Sequence, residues 1–244
     1  MEIDVLGAGE AFSPRDPNAS VLIREEGFCL LIDCGPTVPQ QLWSRDLSAD
    51  AIDAIYITHL HSDHCAGLGP LANQLESRGR TKPLDIYCLP QGMERLKAAF
   101  DFGLWPRPEA CPFPLRWHDI RNSGTIGPMQ CRVAPTAHSV INHAIRLDAA
   151  GKSLFYSGDG AATTASLELM KGADLVFQES WADGPENLEP GHFDARSCLE
   201  IAAEMKIPSM RLYHIRDDLI DQVEALVAKT DNVRVARAGE IIIL

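Results

Sequence analysis

The chain has 244 residues, of which 45% are hydrophobic and 23% charged, and its formal charge is −12. These values are typical of a globular protein with a substantial core, and no apolar run approaches the roughly 20 residues of a membrane helix. The acidic balance argues against a broad nucleic-acid surface, because phosphate binding depends on clustered Lys and Arg. Seven cysteines without a C-x-x-C pair argue against a disulfide framework. Residues 1–6 are typical of a strand, not of a secretory signal, which favours the cytoplasm.

Short apolar runs bounded by Gly, Pro, Asn and Asp predict the elements of the first half. Predicted strands cover residues 2–6, 19–24, 28–33, 54–58 and 84–88. Predicted helices cover residues 38–47, 66–78 and 92–102, and a proline-rich surface loop follows at 106–114. The first half is therefore strand-rich, with helices between the strands.

The second half shows the same pattern. Predicted strands cover residues 129–136, 143–148, 153–157, 174–178, 209–213, 233–236 and 240–243. Predicted helices cover residues 163–171, 194–206 and 217–228. Two strand-rich halves with interleaved helices predict an α/β protein built as a four-layer αββα sandwich. Because neither a linker nor a repeat interrupts residues 1–244, a single domain is expected.

Three histidines and an aspartate stand close together directly after the buried strand at 54–58: His59, His61, Asp63 and His64. If His59 and His61 stay extended, the two-residue period of a strand places both rings on one side. A turn through Ser62 can then bring the other two side chains to a second point nearby. Imidazole and carboxylate ligands suit zinc, manganese or iron, so the segment predicts a metal site.

The spacing H-x-H-x-D-H in this segment resembles the signature of the metallo-β-lactamase superfamily. Residues 134–138, which end in His138, resemble the family's next ligand segment. Residues 156–159, which end in Asp159, and 212–214, which end in His214, resemble the last two. The resemblance spans almost the whole chain and implies the αββα fold.

The resemblance also implies two divalent metal ions, with zinc as the first expectation and manganese or iron as alternatives. It implies one ion held by His59, His61 and His138, a second held by Asp63, His64 and His214, and Asp159 shared between them. Two such ions about 3.5–4 Å apart supply a bridging hydroxide near neutral pH and neutralise developing oxyanions. The implied reaction is hydrolysis of a phosphodiester or another ester.

Residues 176–180 and 191–197 resemble the ribonuclease Z-like branch of the superfamily. In that branch a glutamate and a histidine deliver a proton to the leaving oxygen, which implies that Glu179 orients His192 as general acid. Asp63 completes the predicted catalytic set. The chain departs from the branch at Trp181, where threonine is usual, and residues 139–158 are too few for the long arm that binds transfer RNA.

The sequence therefore favours a phosphodiesterase acting on a small molecule, with neither transfer RNA nor a membrane as partner and a homodimer left open. Three alternatives stay open: a hydrolase of carboxylic esters, thioesters or lactams, a mono-iron persulfide dioxygenase, and a binding module without catalysis. Asp33 is expected to be a buried acid behind the metal ligands. His143, Trp105 and Trp181 are candidates for the pocket wall.

Overall fold

Two seven-stranded β-sheets form the centre of the structure, a computed structural model that describes residues 1–244. The strands of the first sheet are β1 (Glu2–Gly7), β2 (Ser20–Glu25), β3 (Phe28–Ile32), β4 (Ala54–Tyr56), β5 (Leu84–Cys88), β6 (Leu115–Asp119) and, last in the chain, β14 (Ile241–Ile243). Their order across the sheet is β14-β1-β2-β3-β4-β5-β6. The pairs from β14 to β3 are antiparallel, and those from β3 to β6 are parallel.

The second sheet has the same mixed character. Its strands are β7 (Thr125–Ile126), β8 (Met129–Pro135), β9 (His143–Ala149), β10 (Lys152–Tyr156), β11 (Leu175–Glu179), β12 (Met210–Tyr213) and β13 (Val233–Val235). They lie in the order β13-β12-β11-β10-β9-β8-β7. Strands β10 to β13 are parallel, whereas β7 to β10 pair antiparallel.

Seven α-helices accompany the sheets: α1 (Val38–Ser44), α2 (Ser62–Cys65), α3 (Leu68–Ser77), α4 (Met93–Gly103), α5 (Thr164–Met170), α6 (Ala195–Glu204) and α7 (Ile220–Val227). Helices α1, α3 and α4 share an apolar cluster with the first sheet. Helices α5, α6 and α7 share another with the second sheet. A third cluster of 23 buried residues joins the inner faces of both sheets. The four-layer αββα sandwich expected from the sequence is therefore confirmed.

The strand before the histidine motif shows why these residues fold this way. Side chains alternate between the two faces of a strand, and both faces of β4 are covered. Ala54 and Tyr56 point between the sheets, whereas Ile55 points toward the helices. Burying a side chain of the size of Ile55 contributes about 1.5–3 kcal/mol to the free energy of unfolding, which fixes the strand that precedes the motif.

Two parts of the fold differ from the sequence-based expectation. The helix predicted over residues 66–78 is preceded by α2 and itself begins at Leu68 as α3. Gly67 separates the two helices, at a point where a Cβ atom would lie 2.2 Å from the carbonyl oxygen of Gly35. The edge strands β6 and β7 were not predicted. The residues of β6 are only partly buried and their polarity hides the strand pattern, and β7 has only two residues.

The segment between β9 and β10 is a tight hairpin. Its turn consists of Ala150 and Gly151, with φ angles of 49° and 73°. Two consecutive residues with positive φ match the twist of an antiparallel pair, and the flanking residues Ala149 and Lys152 pair directly. No arm is inserted in this hairpin. None of the helices has both the length and the apolar character needed to cross a membrane.

Candidate metal centre

The predicted site residues converge at one edge of the sandwich, just beyond the carboxyl ends of six strands. In the first sheet, β3 leads to Asp33 and β4 to the histidine motif. In the second sheet, β8 leads to His138, β10 to Asp159 and β12 to His214, and β11 ends at Glu179. Ligand sites in sheets with parallel strands usually lie at this end, because the chain leaves the rigid strand there. Both sheets thus contribute to one site.

The first cluster consists of His59, His61, His138 and Asp159. One ligand atom from each residue lies within 4.8 Å of the others. The Nε2 atom of His138 is 3.1 Å from Nδ1 of His61. Oδ2 of Asp159 lies 3.7 Å from Nε2 of His59 and 3.9 Å from Nε2 of His138. The structure therefore brings together the four residues expected around one metal ion.

The second cluster consists of Asp63, His64, His214 and the same Asp159, again with ligand atoms within 4.8 Å of one another. Helix α2 begins after His61 and turns Asp63 and His64 toward this point. Nε2 of His214 lies 3.1 Å from Oδ2 of Asp63 and 3.4 Å from Oδ2 of Asp159. Nε2 of His64 lies 3.3 Å from Oδ1 of Asp159. The carboxylate of Asp159 is therefore common to both clusters.

Hydrogen bonds behind the rings set which nitrogen faces the clusters. Nδ1 of His64 donates to Oδ2 of Asp33 at 2.8 Å. The hydroxyl of Thr58 donates to the same carboxylate at 2.9 Å, so its oxygen accepts from Nδ1 of His59 at 3.0 Å. In each ring the other nitrogen, Nε2, therefore faces the cluster, and in the neutral ring it can bind a cation.

His138 is oriented in the same way, because its Nδ1 donates to the carbonyl oxygen of Gly191 at 2.6 Å. Three buried atoms that face the clusters have no hydrogen-bond partner: Nε2 of His59, and Nε2 of His64 and Oδ1 of Asp159, which lie 3.3 Å apart without the alignment of a hydrogen bond. Leaving such atoms unpaired inside a protein is costly. A divalent cation in each cluster would satisfy them, so the residues present fit two metal ions.

The histidines of the first cluster favour the neutral form. Burial lowers the pKa of His59 well below its usual value, and the neighbouring His64 adds to the effect. Burial also lowers the pKa values of His61 and His138. A neutral imidazole is the form that binds a metal, so this cluster is ready to bind a cation near neutral pH.

The second cluster behaves differently. Burial opposes protonation of His64 and His214, but the negative charge of Asp159 outweighs it, with help from Asp33 at His64 and Asp63 at His214. The pKa of His64 is raised well above its usual value, and that of His214 is raised to about 9. Without a cation, protons therefore occupy the second cluster.

Glu179 and His192 form a hydrogen-bonded pair beside both clusters. Nδ1 of His192 donates to Oε1 of Glu179, which is completely buried at the end of β11. Oε2 of Glu179 accepts from the amides of Gly160 and Phe193, both at 3.0 Å. Burial opposes protonation of His192, but the bond to Glu179 and its charge raise the pKa of the ring. The arrangement suits an acid that must hold a proton.

Trp181 has a role that the sequence interpretation did not identify. Its ring stacks on His192, with centroids 4.5 Å apart and an angle of 19° between the planes. The signal available in the sequence was a large aromatic two residues after Glu179, where the branch usually has threonine.

Trp105, also a candidate for the pocket wall, is 75% exposed beyond α4. The carbonyl of His143 accepts from the hydroxyl of Tyr56 at 2.8 Å, which ties this residue to β4.

Comparisons with known proteins agree with this geometry. The family model described as "Anti-Pycsar protein Apyc1" matches residues 1–242. The anti-Pycsar protein Apyc1 of Saccharibacillus brassicae is 26% identical over 98% of both chains. Ribonuclease Z of Methanothermobacter thermautotrophicus is 26% identical, over 88% of this chain and 86% of the relative.

Among solved structures, the metallo-β-lactamase fold protein YhfI of Bacillus subtilis superposes with a TM-score of 0.83, at 23% identity, over 99% of this chain and 98% of its own. This likeness confirms the metallo-β-lactamase fold, and the relatives confirm a ribonuclease Z-like, metal-dependent hydrolase. Because the family model covers nearly every residue, the chain belongs to the anti-Pycsar protein Apyc1 family.

Proposed function

We propose that this protein is a phosphodiesterase that hydrolyses a small phosphodiester with two divalent metal ions, and zinc is the metal we expect first. One observation carries the proposal. Asp159, His214, Glu179 and His192 each have a ligand atom within 4.8 Å of those of the others, so the His192–Glu179 pair lies directly beside the shared carboxylate of the two clusters. Cleaving a diester with an alkoxide leaving group needs a proton donor.

The residues divide the work as follows. His59, His61 and His138 would hold one ion, Asp63, His64 and His214 the other, and Asp159 both. Bound there, the two ions would supply a water of lowered pKa and balance the charge of the phosphate group.

The chain's own groups then manage the protons. Nδ1 of His192 is committed to Glu179, so its other ring nitrogen is the one free to protonate the leaving oxygen. Asp63, whose Oδ2 lies 3.1 Å from His214 and 3.2 Å from His64, is placed to orient the attacking water.

The comparisons support a phosphodiester, because a ribonuclease is named for cleaving the phosphodiester backbone of RNA. A small substrate is supported by two features of this chain. The hairpin between β9 and β10 closes through Ala150 and Gly151, without an arm that could grip a large RNA. The formal charge of −12 also disfavours long polyanions.

The test combines metal analysis with a substrate panel. Protein purified without chelators should contain two zinc or manganese ions per chain. It should hydrolyse chromogenic and 3′,5′-cyclic phosphodiesters far faster than phosphomonoesters, thioesters or β-lactams. One iron per chain without hydrolysis, or activity confined to thioesters or lactams, would show that the proposal is wrong.

A further inference from the structure

Asp159, the ligand shared by both clusters, lies in a bend that follows β10. Gly158, the residue before it, has a φ angle of 61°, in the left-handed region that favours glycine. A Cβ atom at this position would lie 2.2 Å from Oδ1 of Asn142, which leaves no room for a side chain. Just after the bend, the amides of Ala161 and Ala137 each donate to the carbonyl oxygen of the other residue, at 3.1 and 2.9 Å. The bend is therefore packed closely against the loop between β8 and β9.

Asn142, at the end of that loop, is buried and uses its whole amide group. Its Nδ2 donates to the carbonyl oxygen of Ser157 at 2.9 Å and to the hydroxyl oxygen of Thr136 at 2.7 Å. Its Oδ1 accepts from the amide of Asp159 at 3.3 Å. The hydroxyl of Thr136 in turn donates to the carbonyl oxygen of Asp159. Asn142 thus holds the bend from the loop that also carries a ligand of the first cluster.

Tyr213 holds the same bend from the second cluster. Its hydroxyl donates to the carbonyl oxygen of Gly158 at 2.6 Å, and the hydroxyl of Ser157 donates to the same oxygen at 2.7 Å. That carbonyl and the amide of Asp159 belong to one peptide group, and in a trans peptide they point in opposite directions. Tyr213 is buried and directly precedes His214, a ligand of the second cluster. The peptide before the shared ligand is therefore fixed at both edges, once from each cluster.

This arrangement matters most when both ions are bound. A single ion can draw the carboxylate toward itself, so a small shift of Asp159 costs it little. A carboxylate shared by two ions must serve both clusters at once: Oδ2 lies 3.7 Å from Nε2 of His59, and Oδ1 lies 3.3 Å from Nε2 of His64. Such ligands have to be held within about 0.5 Å of the productive position. Because the side chain of aspartate is short, its backbone determines whether both contacts are possible together.

We infer that Asn142 and Tyr213 are positioning residues that fix the peptide before Asp159, and so allow two metal ions to share its carboxylate. The inference rests on the two-metal centre of the proposed function and extends it to two residues that are not ligands. Their loss should therefore weaken binding of the second ion and leave binding of a single ion nearly unchanged.

Zinc binding by the metal-free full chain at pH 8 tests this inference. Competition with a chromogenic chelator gives separate affinities for the first and the second ion. A residue that merely supports the fold would lower both affinities alike, whereas a positioning residue lowers the second alone. The unfolding temperature of the metal-free protein, measured in parallel, reports any general loss of stability.

Tyr213→Phe removes one hydroxyl and keeps the packing of the ring. The affinity for the second zinc ion should fall by roughly 10–100-fold, the range typical of residues that orient ligands, with the first affinity close to that of the wild type. Tyr56→Phe is the matched control. Tyr56 is also buried between the sheets, and its hydroxyl also donates to a carbonyl oxygen, that of His143 at 2.8 Å. This variant should leave both affinities unchanged.

Asn142→Leu keeps the approximate size of the side chain and removes its donors and its acceptor. The same selective loss is expected, together with a lower unfolding temperature, because buried polar groups lose their partners. Asn232→Leu is its control, since Asn232 donates to the carbonyl oxygen of Ile207 at 2.7 Å where β12 and β13 begin, away from the ligands. If Asn142→Leu does not fold, Tyr213→Phe decides the question.

The outcomes distinguish this inference from the function on which it rests. A wild-type chain that binds fewer than two zinc ions would overturn the two-metal centre and the inference together. Two ions in the wild type, with an unchanged second affinity in Tyr213→Phe, would overturn the inference and leave the proposed function standing. An equal fall of both affinities in this variant would also overturn it, because Tyr213 would then only support the fold.

Discussion

The carboxylate of Asp33 accepts a hydrogen bond from Nδ1 of His64 at 2.8 Å, and both side chains are completely buried. The same carboxylate accepts from the amide and the hydroxyl of Thr58, whose oxygen accepts from His59. One acid therefore orients a histidine of each cluster. The buried acid expected behind the ligands is thus connected to both proposed metal sites.

Asp33→Asn should weaken zinc binding by roughly 10–100-fold, the range typical for partners that orient metal ligands. Asparagine keeps the shape of the side chain and tolerates the backbone φ of 59° at this position, so the fold should survive. Affinity is measured by competition with a chromogenic chelator. Asp53→Asn is the matched control, because Asp53 is a buried acid that accepts from the amide of Cys29, outside the centre. Equal affinities for the two variants would contradict the orienting role.

Asp159→Ala should lower metal occupancy and abolish hydrolysis. The substitution removes the one anion common to both clusters, where Asp159 approaches His59, His64 and His214 within 3.7 Å. Elemental analysis and turnover of a phosphodiester measure the two effects. A variant that kept two metal ions and near-normal turnover would refute the assignment of Asp159 as the shared ligand.

The two clusters should bind metal with different pH dependence. In the metal-free protein the pKa of His214 is raised to about 9 and that of His64 is also raised, so a cation must displace protons from the second cluster. The pKa values of His59, His61 and His138 are lowered, so the first cluster is already deprotonated. As pH falls below about 9, affinity at the second site should drop by about tenfold per unit for each displaced proton.

Zinc titrations by calorimetry at pH 6 and pH 8, in buffers of different ionisation heat, measure these protons. At pH 6 the first site should fill and the second should lag, whereas at pH 8 both should fill. If the two sites released the same number of protons, the proposed difference between the clusters would be wrong.

His192→Ala should leave the metal content intact and lower turnover by roughly 10²–10⁴-fold for substrates with alkoxide leaving groups. The loss should be much smaller with 4-nitrophenolate, which leaves without a proton. His118→Ala is a matched control, because His118 also pairs with an acid, Asp85 at 2.7 Å, on the outer strands of the first sheet. Equal losses with both kinds of leaving group would show that His192 has another role.

Trp181 should affect turnover through the ring of His192, on which it stacks. Trp181→Ala exposes the face of His192 and should lower kcat for alkoxide leaving groups with little effect on KM, because the acid loses its orientation. Trp181→Phe keeps a stacking surface and should restore much of the rate. Trp105→Ala removes a tryptophan that is already 75% exposed and serves as control. An effect on KM alone would place Trp181 in substrate binding instead.

The residues of the two clusters could be predicted because the motif places four of them within six positions after a strand. The other three follow strand ends in a fixed order. Local sequence suffices for the motif of four, since a strand end and a short spacing determine where those side chains point, whereas His138, Asp159 and His214 were implied by the resemblance to the metallo-β-lactamase superfamily. The αββα arrangement could be predicted for the same reason, from apolar runs and the breaks between them.

Contacts between segments that are far apart in the chain could not be predicted from the sequence. The stack of Trp181 on His192 depends on how the loop after β11 folds back, which includes the hydrogen bond from the amide of Arg216 to the carbonyl of Trp181. The carbonyl of Gly191, between β11 and β12, accepts from Nδ1 of His138, which lies 53 residues earlier in the chain. Neither contact has a periodic signature, because each depends on tertiary packing and not on local pattern.

We expect transfer RNA processing to be the activity that separates this chain from the ribonuclease Z that it resembles. Holding a transfer RNA requires many phosphate contacts, and in ribonuclease Z-like enzymes a long arm supplies many of them. Here the corresponding segment is the hairpin of β9 and β10, with Ala150 and Gly151 as its whole turn. We therefore expect no efficient cleavage of precursor transfer RNA.

The physical reason is the loss of remote binding energy. A bulky RNA that is not gripped away from the cut site cannot be held close to the reacting groups, whereas a small diester reaches them directly. The charge of −12 adds repulsion along the RNA backbone. Gel-shift and cleavage assays at moderate salt decide the matter, with bis(4-nitrophenyl) phosphate as the positive control for a loaded metal centre. Specific cleavage at the 3′ end by catalytic amounts of protein would refute the small-substrate proposal. Such cleavage would mean that a surface other than an arm supplies the contacts that hold transfer RNA.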